Sequence, residues 1–347
     1  MNTIFEDGYY FPAEWMPHEA TWLTYPHSEA SFPGQLRSVY PSYLRFIAEI
    51  AASEQVRINV PPGFREQFER QLLAEGINGS RAELFDCESD DVWCRDHGPA
   101  FVVHRHTGQK AVVDWEFNAW GGKYPFRKDN RIAGAIARHL SLPTYRPGIV
   151  MEGGSVDFNG EGTLLTTRSC LLNPNRNPHL SQNRIEQYLH QYYGVSQVLW
   201  LDEGIAGDDT DGHVDDLTRF ISPDTVATVV EHNKRDINYL PLQHNLKLLE
   251  KMRLLNGRQL NIVELPMPDP VVFQQQRLPA SYANFYFTND ALIVPVFRCR
   301  QDEKALQTLE TCIPNRRIVE IDSTYIVHGF GSFHCLSQQE PLAGRNN

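Results

Sequence analysis

No C-x-x-C pair occurs among the six cysteines, which stand at positions 87, 94, 170, 299, 312 and 335 of the 347 residues. So few, so scattered, they read as mostly buried free thiols of a reducing compartment. Clustered Lys/Arg is missing too: 32 basic residues face 43 acidic ones, for a formal net charge of −11. That argues against nucleic acid or an anionic membrane surface as partner, because both demand basic patches. Apolar runs such as ALIVPVF at 291–297 are too short to span a bilayer. The opening MNTIFEDGYYFP is acidic and lacks the charged start and apolar core of a signal peptide. No G-x-G-x-x-G or P-loop opens a helix. No Pro/Gly/Ser linker divides the chain, so one domain over 1–347 and a cytoplasmic location are expected. With 41% hydrophobic and 22% charged residues, the composition is that of a globular enzyme with a large core.

What is present is a rhythm. Apolar residues at i, i+3 and i+4 predict helices at 66–76, 129–141, 181–193, 241–255 and 302–312, with starts 63, 52, 60 and 61 residues apart. After each comes a β-rich stretch: AELFD, TYRPGIV, QVLWL, NIVEL and RIVEI. A helix near 41–53 followed by VRINV fits the same order less well. An ordinary α/β domain also alternates helices with strands. A recurrence near 60 residues favours a ring of similar modules about a pseudo-symmetry axis.

Reactive side chains fall in the loops that follow those strands: Asp96 in DVWCRDHGP, Glu152 in VMEGGSVDFNG, His213 and Asp215 in DDTDGHVDD, Asn284 in SYANF and Cys335 in GSFHCLSQQEP. The gaps from 96 to 152, 213, 284 and 335 are 56, 61, 71 and 51 residues, one polar site per module. Cys335 follows a glycine-bearing segment and is followed by Ser337, Gln338 and Gln339. A histidine and a bound cation nearby would both stabilise its thiolate. His334 adjoins it, but neighbours on an extended segment point to opposite faces, so His213 is the expected partner. In His213-x-Asp215 an imidazole that passes protons near neutral pH sits beside a carboxylate that grips cations. A metal pair or an Asp-rich turn would give the same local pattern, although no complete ligand set accompanies it. Trp93, three residues before Asp96, offers a flat indole for a guanidinium or an alkyl chain. Asn118-Ala-Trp-Gly-Gly reads as a site loop or as a packing corner.

Together these segments resemble the agmatine deiminase family, which includes bacterial-type peptidyl-arginine deiminases. The resemblance is carried by EWMPHEATWLTYPH (14–27), WCRDHGP (93–99), FNAWGGKYP (117–125), MEGGSVDFNGEGTLLTT (151–167), CLLNPNRNP (170–178), GIAGDDTDGHVDDLTRF (204–220), YANFYF (282–287) and HCLSQQEP (334–341). It implies the pentein fold, a five-module pseudo-symmetric α/β propeller in a single domain. It implies Cys335 as nucleophile and His213 as general acid/base. Asp96 and Asp215 become the carboxylates on the guanidinium nitrogens, and Glu152 the acid that orients the histidine and the substrate. Trp93 becomes a wall of the substrate channel; Asn284, from the loop pattern, is a further candidate for substrate binding. No metal or organic cofactor is required. A small cationic guanidinium compound is the expected partner, with a homodimer as the family expectation. Agmatine is the preferred substrate; arginine or peptidyl-arginine, an amidinotransferase reaction, and guanidine binding without turnover are the alternatives. An arginine substrate needs a carboxylate anchor, for which Arg127, Arg131 and Arg176 are candidates. Phe330 and Ser332 depart from the glycine-richer run usual before the family's cysteine.

Overall fold

A computed structural model describes residues 3–77 and 79–344; the ends of the expected 1–347 domain lie outside the described residues. Among these, five mixed sheets of three or four strands, plus the hairpin Val272–Phe273/Gln276–Arg277, make up the β-structure. The sheets share one construction. An antiparallel pair is followed by a helix and then by a strand parallel to the second of the pair. In one, Thr218–Ser222 pairs antiparallel with Thr225–Val230, the helix Tyr239–Lys251 crosses over, and Asn261–Pro266 returns parallel. In another, Tyr286–Phe287, Ala291–Val296, the helix Gln301–Cys312 and Arg317–Asp322 repeat the order, with Ala291 opposite Arg317. A parallel return needs a crossover of this length, which is why each periodic helix sits between two strands. The strand Ser337–Pro341 lies antiparallel to His18–Thr24 and so joins the C-terminal end to the first module.

The helical rhythm is matched by Arg65–Ala74, Asp129–Arg131 running into Ile132–His139, Gln182–Tyr193, Tyr239–Lys251 and Gln301–Cys312. AELFD and QVLWL are strands over their full length. Three boundaries differ. The helix expected at 41–53 is Leu36–Ala51, with Pro41 inside it. Pro41 is exposed, and the stripe Leu36, Val39, Tyr43, Phe46, Ile47 and Ile50 packs across it. Each buried side chain contributes about 1.5–3 kcal/mol, which together outweighs the ~3 kcal/mol that an internal proline costs. The helix expected to reach 255 ends at Lys251, because Met252 turns to extended backbone. TYRPGIV is a strand only at Thr144–Tyr145: Pro147 has no N–H to give, and Gly148 takes φ +72°.

This construction positions the site. The chain leaves each parallel return strand in a loop and enters the next sheet at Ala100–His104, Val156–Phe158, Thr218–Ser222, Tyr286–Phe287 or Ser337–Pro341. Asp96, Glu152, His213, Asn284 and Cys335 each stand two to five residues before one of those strands. Among the described residues no helix is long and apolar enough to cross a membrane.

Candidate active site

Cys335 sits on the single helical turn Phe333–Leu336 and is buried. Asn284 holds it. The Asn284 Nδ2 donates to Sγ at 3.0 Å and to Asp216 Oδ1 at 2.9 Å. Its Oδ1 accepts the backbone N–H of His334 at 3.0 Å and of Cys335 at 3.2 Å. The backbone before the turn is special. Phe330 has φ +71°, the left-handed region that favours glycine, which accounts for the glycine expected there. A Cβ on Gly329 or Gly331 would stand 2.7 and 2.6 Å from the Trp93 indole, so both glycines let that ring close on the loop. Ser332, the other departure from the pattern, shares a 2.6 Å hydroxyl contact with Ser323.

His213 precedes the 3-10 turn Val214–Asp216, which carries Asp215. His213 Nδ1 lies 3.8 Å from Asp96 Oδ1 and 4.0 Å from Asp215 Oδ1. The other oxygen of Asp215 lies 3.5 Å from Cys335 Sγ. The candidate nucleophile and the candidate acid/base therefore flank one carboxylate, with no hydrogen bond joining them. Asp96 is fixed by Trp120 Nε1 at 2.9 Å and by the backbone N–H of Gly154 at 2.9 Å. FNAWGG is thus a site loop rather than a mere corner, with Trp120 itself at φ +53°. An added Cβ on Gly154 would come within 2.6–2.9 Å of His213 Nδ1, Asp215 Oδ2 and Asp96 Oδ1. The bare glycine leaves that space open between three polar groups.

The electrostatics describe a seat for a cation. Burial pushes Asp96 up to about 6, with Asp215 and Glu152 adding to it and His213 opposing. Burial raises the Cys335 thiol well above its ordinary value, as do the charges of Asp215, Asp216 and Asp96. Burial alone would neutralise His213, but Asp96, Cys170 and Asp215 hold it protonated well above the usual histidine range. Among the described residues, neither of its ring nitrogens has a hydrogen-bond partner. A delocalised cation entering here would stabilise every carboxylate at once and bring the thiol down.

Glu152 is buried, but its nearest partner is Arg176, whose Nε donates at 2.7 Å. Cys170 Sγ is 4.0 Å from its other oxygen. Glu152, Cys170 and His213 keep their donor atoms within 4.8 Å of one another, as do Asp215, Asp216 and Cys335. In the first group Glu152 is already paired, and in the second Asn284 occupies the thiol, so neither is assigned a metal. Arg176 also pairs with Asp211 and donates to the Thr210 carbonyl at 2.7 Å, so it is no free anchor for a substrate carboxylate.

The expectation that His334 points away from the site is corrected. Residues 333–336 form a helical turn instead of an extended segment, and His334 Nδ1 lies 2.6 Å from Asp215 Oδ2. Asp216, Cys170 and Glu14 were also missed as site residues, although Asp216 closes HVDD and Glu14 and Cys170 open two of the segments that carry the resemblance.

Cys335 and Asp96 open onto a cavity of about 250 Å3, walled by Trp93, Trp120, Tyr124, Phe273 and Phe330. Asp90, Asp91 and Asp209 line it too, and no Arg or Lys among the described residues does. Arg127 and Arg131 are exposed and lie outside the lining.

A buried cysteine, a proton-carrying histidine and two carboxylates on a pentein-type α/β scaffold define a thiol-dependent hydrolase acting on amidines. The chain belongs to the Porphyromonas-type peptidyl-arginine deiminase family, which it matches over residues 10–341. It is 34% identical to the agmatine deiminase of Ectopseudomonas mendocina, over 96% of each chain. A structure described as the agmatine deiminase of Enterococcus faecalis catalysing its reaction superposes with a TM-score of 0.92, at 33% identity and 98% coverage of both chains. A cysteine-to-serine variant of the C. jejuni agmatine deiminase with substrate bound gives 0.88, at 32% identity and 97% coverage of both.

Proposed function

We propose that this protein hydrolyses agmatine to N-carbamoylputrescine and ammonia. The observation that carries the reading is the arrangement around Asp215, with His213 on one oxygen and Cys335 on the other, behind an acid-lined cavity onto which Cys335 and Asp96 open. Asp96 and Asp215 grip the guanidinium nitrogens and present the central carbon to Cys335. The thiolate attacks, a C–S bond forms, and the C–N bond to one terminal nitrogen breaks as His213 gives that nitrogen its proton. The amidino-thioether is then attacked by water, which passes a proton to His213; the C–S bond breaks and the ureido product leaves. Glu152 steadies His213 from behind, and Trp93 and Trp120 confine the alkyl chain.

The acids of the lining suit the free amine of agmatine, and among the described residues the lining offers no Arg or Lys to anchor an α-carboxylate. Matching relatives named agmatine deiminases support the same choice. In this reading the chain forms one domain. Its five sheets are the blades of a pseudo-symmetric propeller, whose axis passes through the loops that bear the site. It works in the cytoplasm on a small cation, without a cofactor, nucleic acid or membrane.

A panel of agmatine, arginine and a C-terminal-arginine peptide, scored for ammonia and product mass, tests it. Agmatine should lead free arginine in kcat/KM by at least ~10-fold, about 1.4 kcal/mol. Equal or reversed preference moves the assignment to the arginine branch, and transfer to an added amine moves it to an amidinotransferase. Cys335→Ser should bind agmatine without turning it over.

A further inference from the structure

Among the described residues four acids line the cavity, and one of them, Asp96, belongs to the guanidinium end. The other three differ in how their charge is met. Asp209 Oδ2 accepts the Tyr124 hydroxyl at 2.6 Å, and its Oδ1 lies 3.4 Å from Lys123 Nζ. Asp90 Oδ2 accepts the Lys128 N–H at 2.9 Å, and the Lys128 ammonium acts on both Glu88 and Asp90. Asp91 takes its hydrogen bonds from neutral donors, the Ser31 hydroxyl and the Val92 N–H, each at 2.7 Å and each on Oδ1. Among the described residues its Oδ2 accepts none, and no Lys or Arg pairs with it. Burial raises its carboxyl above the ordinary value, against those bonds and the charge of His27. A half-buried carboxylate that no Lys or Arg meets is poised to take a cation from a ligand.

Asp91 stands two residues before Trp93, and the indole links it to the nucleophile. A Cβ on Gly331 would lie 2.6 Å from Trp93 Cζ3 and 2.9 Å from Cys335 Cβ. A Cβ on Gly329 would lie 2.7 Å from Trp93 Cζ2 and 3.0 Å from the Ser31 carbonyl oxygen. One edge of the ring therefore adjoins Cys335, and the next adjoins Ser31, the residue that holds Asp91. Phe32 packs on the same indole with ring centroids 5.9 Å apart. An alkyl chain laid along this aromatic wall, from a guanidinium at Cys335, is carried toward Asp91.

We propose that Asp91 is the specificity-determining residue for agmatine, its carboxylate taking the terminal ammonium at the end of the Trp93 wall away from Cys335. The inference rests on the functional reading above and deepens it. On free arginine the carbon that bears the ammonium also bears a carboxylate, which Asp91 repels. One acid thus attracts the amine and rejects the amino acid.

The experiment pairs agmatine with butylguanidine, the same chain without its amine, in wild type, Asp91→Asn and Asp209→Asn. Asparagine keeps an oxygen for the Ser31 and Val92 donors, so the loop should hold. Wild type should favour agmatine by at least about tenfold in kcat/KM, the worth of a hydrogen bond between charged groups. Asp91→Asn should raise the agmatine KM by about that factor with a much smaller loss in kcat. Butylguanidine, which has no ammonium to lose, should change less than about threefold, so the preference disappears. The margin over free arginine should narrow as well. Asp209→Asn should keep most of the preference. Equal losses on both guanidines make Asp91 merely structural and overturn the proposal. A preference that survives Asp91→Asn, or vanishes only in Asp209→Asn, overturns it too. A wild-type preference below about threefold does so with no variant needed. Wild type that turns over neither guanidine sinks the functional reading instead. Calorimetric binding of the same pair to Cys335→Ser, with and without Asp91→Asn, then decides the proposal separately: agmatine alone should lose affinity.

Discussion

Asn284 grips Cys335 twice, its amide nitrogen 3.0 Å from the sulfur and its carbonyl oxygen on the backbone N–H of the same residue. The sequence placed Asn284 among substrate-binding residues, whereas the geometry gives it to the thiol. Asn284→Ala should therefore lower kcat by a factor of roughly 10–100, the worth of a hydrogen bond to a charged group, about 1.5–3 kcal/mol. KM for agmatine should change little. A rise in KM with kcat intact would return Asn284 to the substrate.

The thiol of the free protein is held protonated, because burial and then Asp215, Asp216 and Asp96 oppose a negative sulfur. Iodoacetamide should therefore label Cys335 slowly near neutral pH and faster as pH rises through and beyond the ordinary thiol range. A small unreactive amidinium should speed the labelling at neutral pH by neutralising the acids. Fast labelling of the free protein at neutral pH contradicts this account, as would slowing by the amidinium.

Asp96, raised to about 6 by burial first, is half protonated near that pH in the free protein. Since the carboxylate form binds the cation, kcat/KM should fall as pH drops through about 6. Asp96→Asn should cost on the order of 2–4 kcal/mol in kcat/KM and abolish that limb. Kinetics near wild type in this variant would remove Asp96 from the site.

Gly154→Ala would put a methyl group within 2.6–2.9 Å of His213, Asp215 and Asp96. Gly154 does not lie in the left-handed region, so the backbone tolerates the change and the fold should persist. Activity should fall at least ~100-fold, about 2.7 kcal/mol, through misplacement of the three polar groups. Circular dichroism and thermal melting beside kinetics separate a filled seat from a damaged fold.

Local patterning made much of this protein legible. Apolar stripes at helical spacing gave the crossover helices, because burying one face is a local demand that each segment carries in its own residues. QVLWL and AELFD, read as strands, are strands from end to end. The loops bearing Asp96, Glu152, His213, Asn284 and Cys335 were legible for the same reason: each follows the parallel strand of its module. The helix expected near 41–53 starts instead at Leu36, since packing across Pro41 outweighs the proline's local cost.

Partnership was decided by the tertiary structure alone. Glu14 and His334 are separated by most of the chain, and neither lies in a pattern that announces the other. Arg176 could have been a substrate anchor until its pairing with Glu152 committed it. His334 was turned away from the site by an assumption of extended backbone, and one helical turn brings it onto Asp215. The sequence determines which chemical groups each module carries to the end of its strand. Which of those groups share a proton or a charge depends on distances of a few ångströms between residues far apart in the chain, and only the packed modules set those distances.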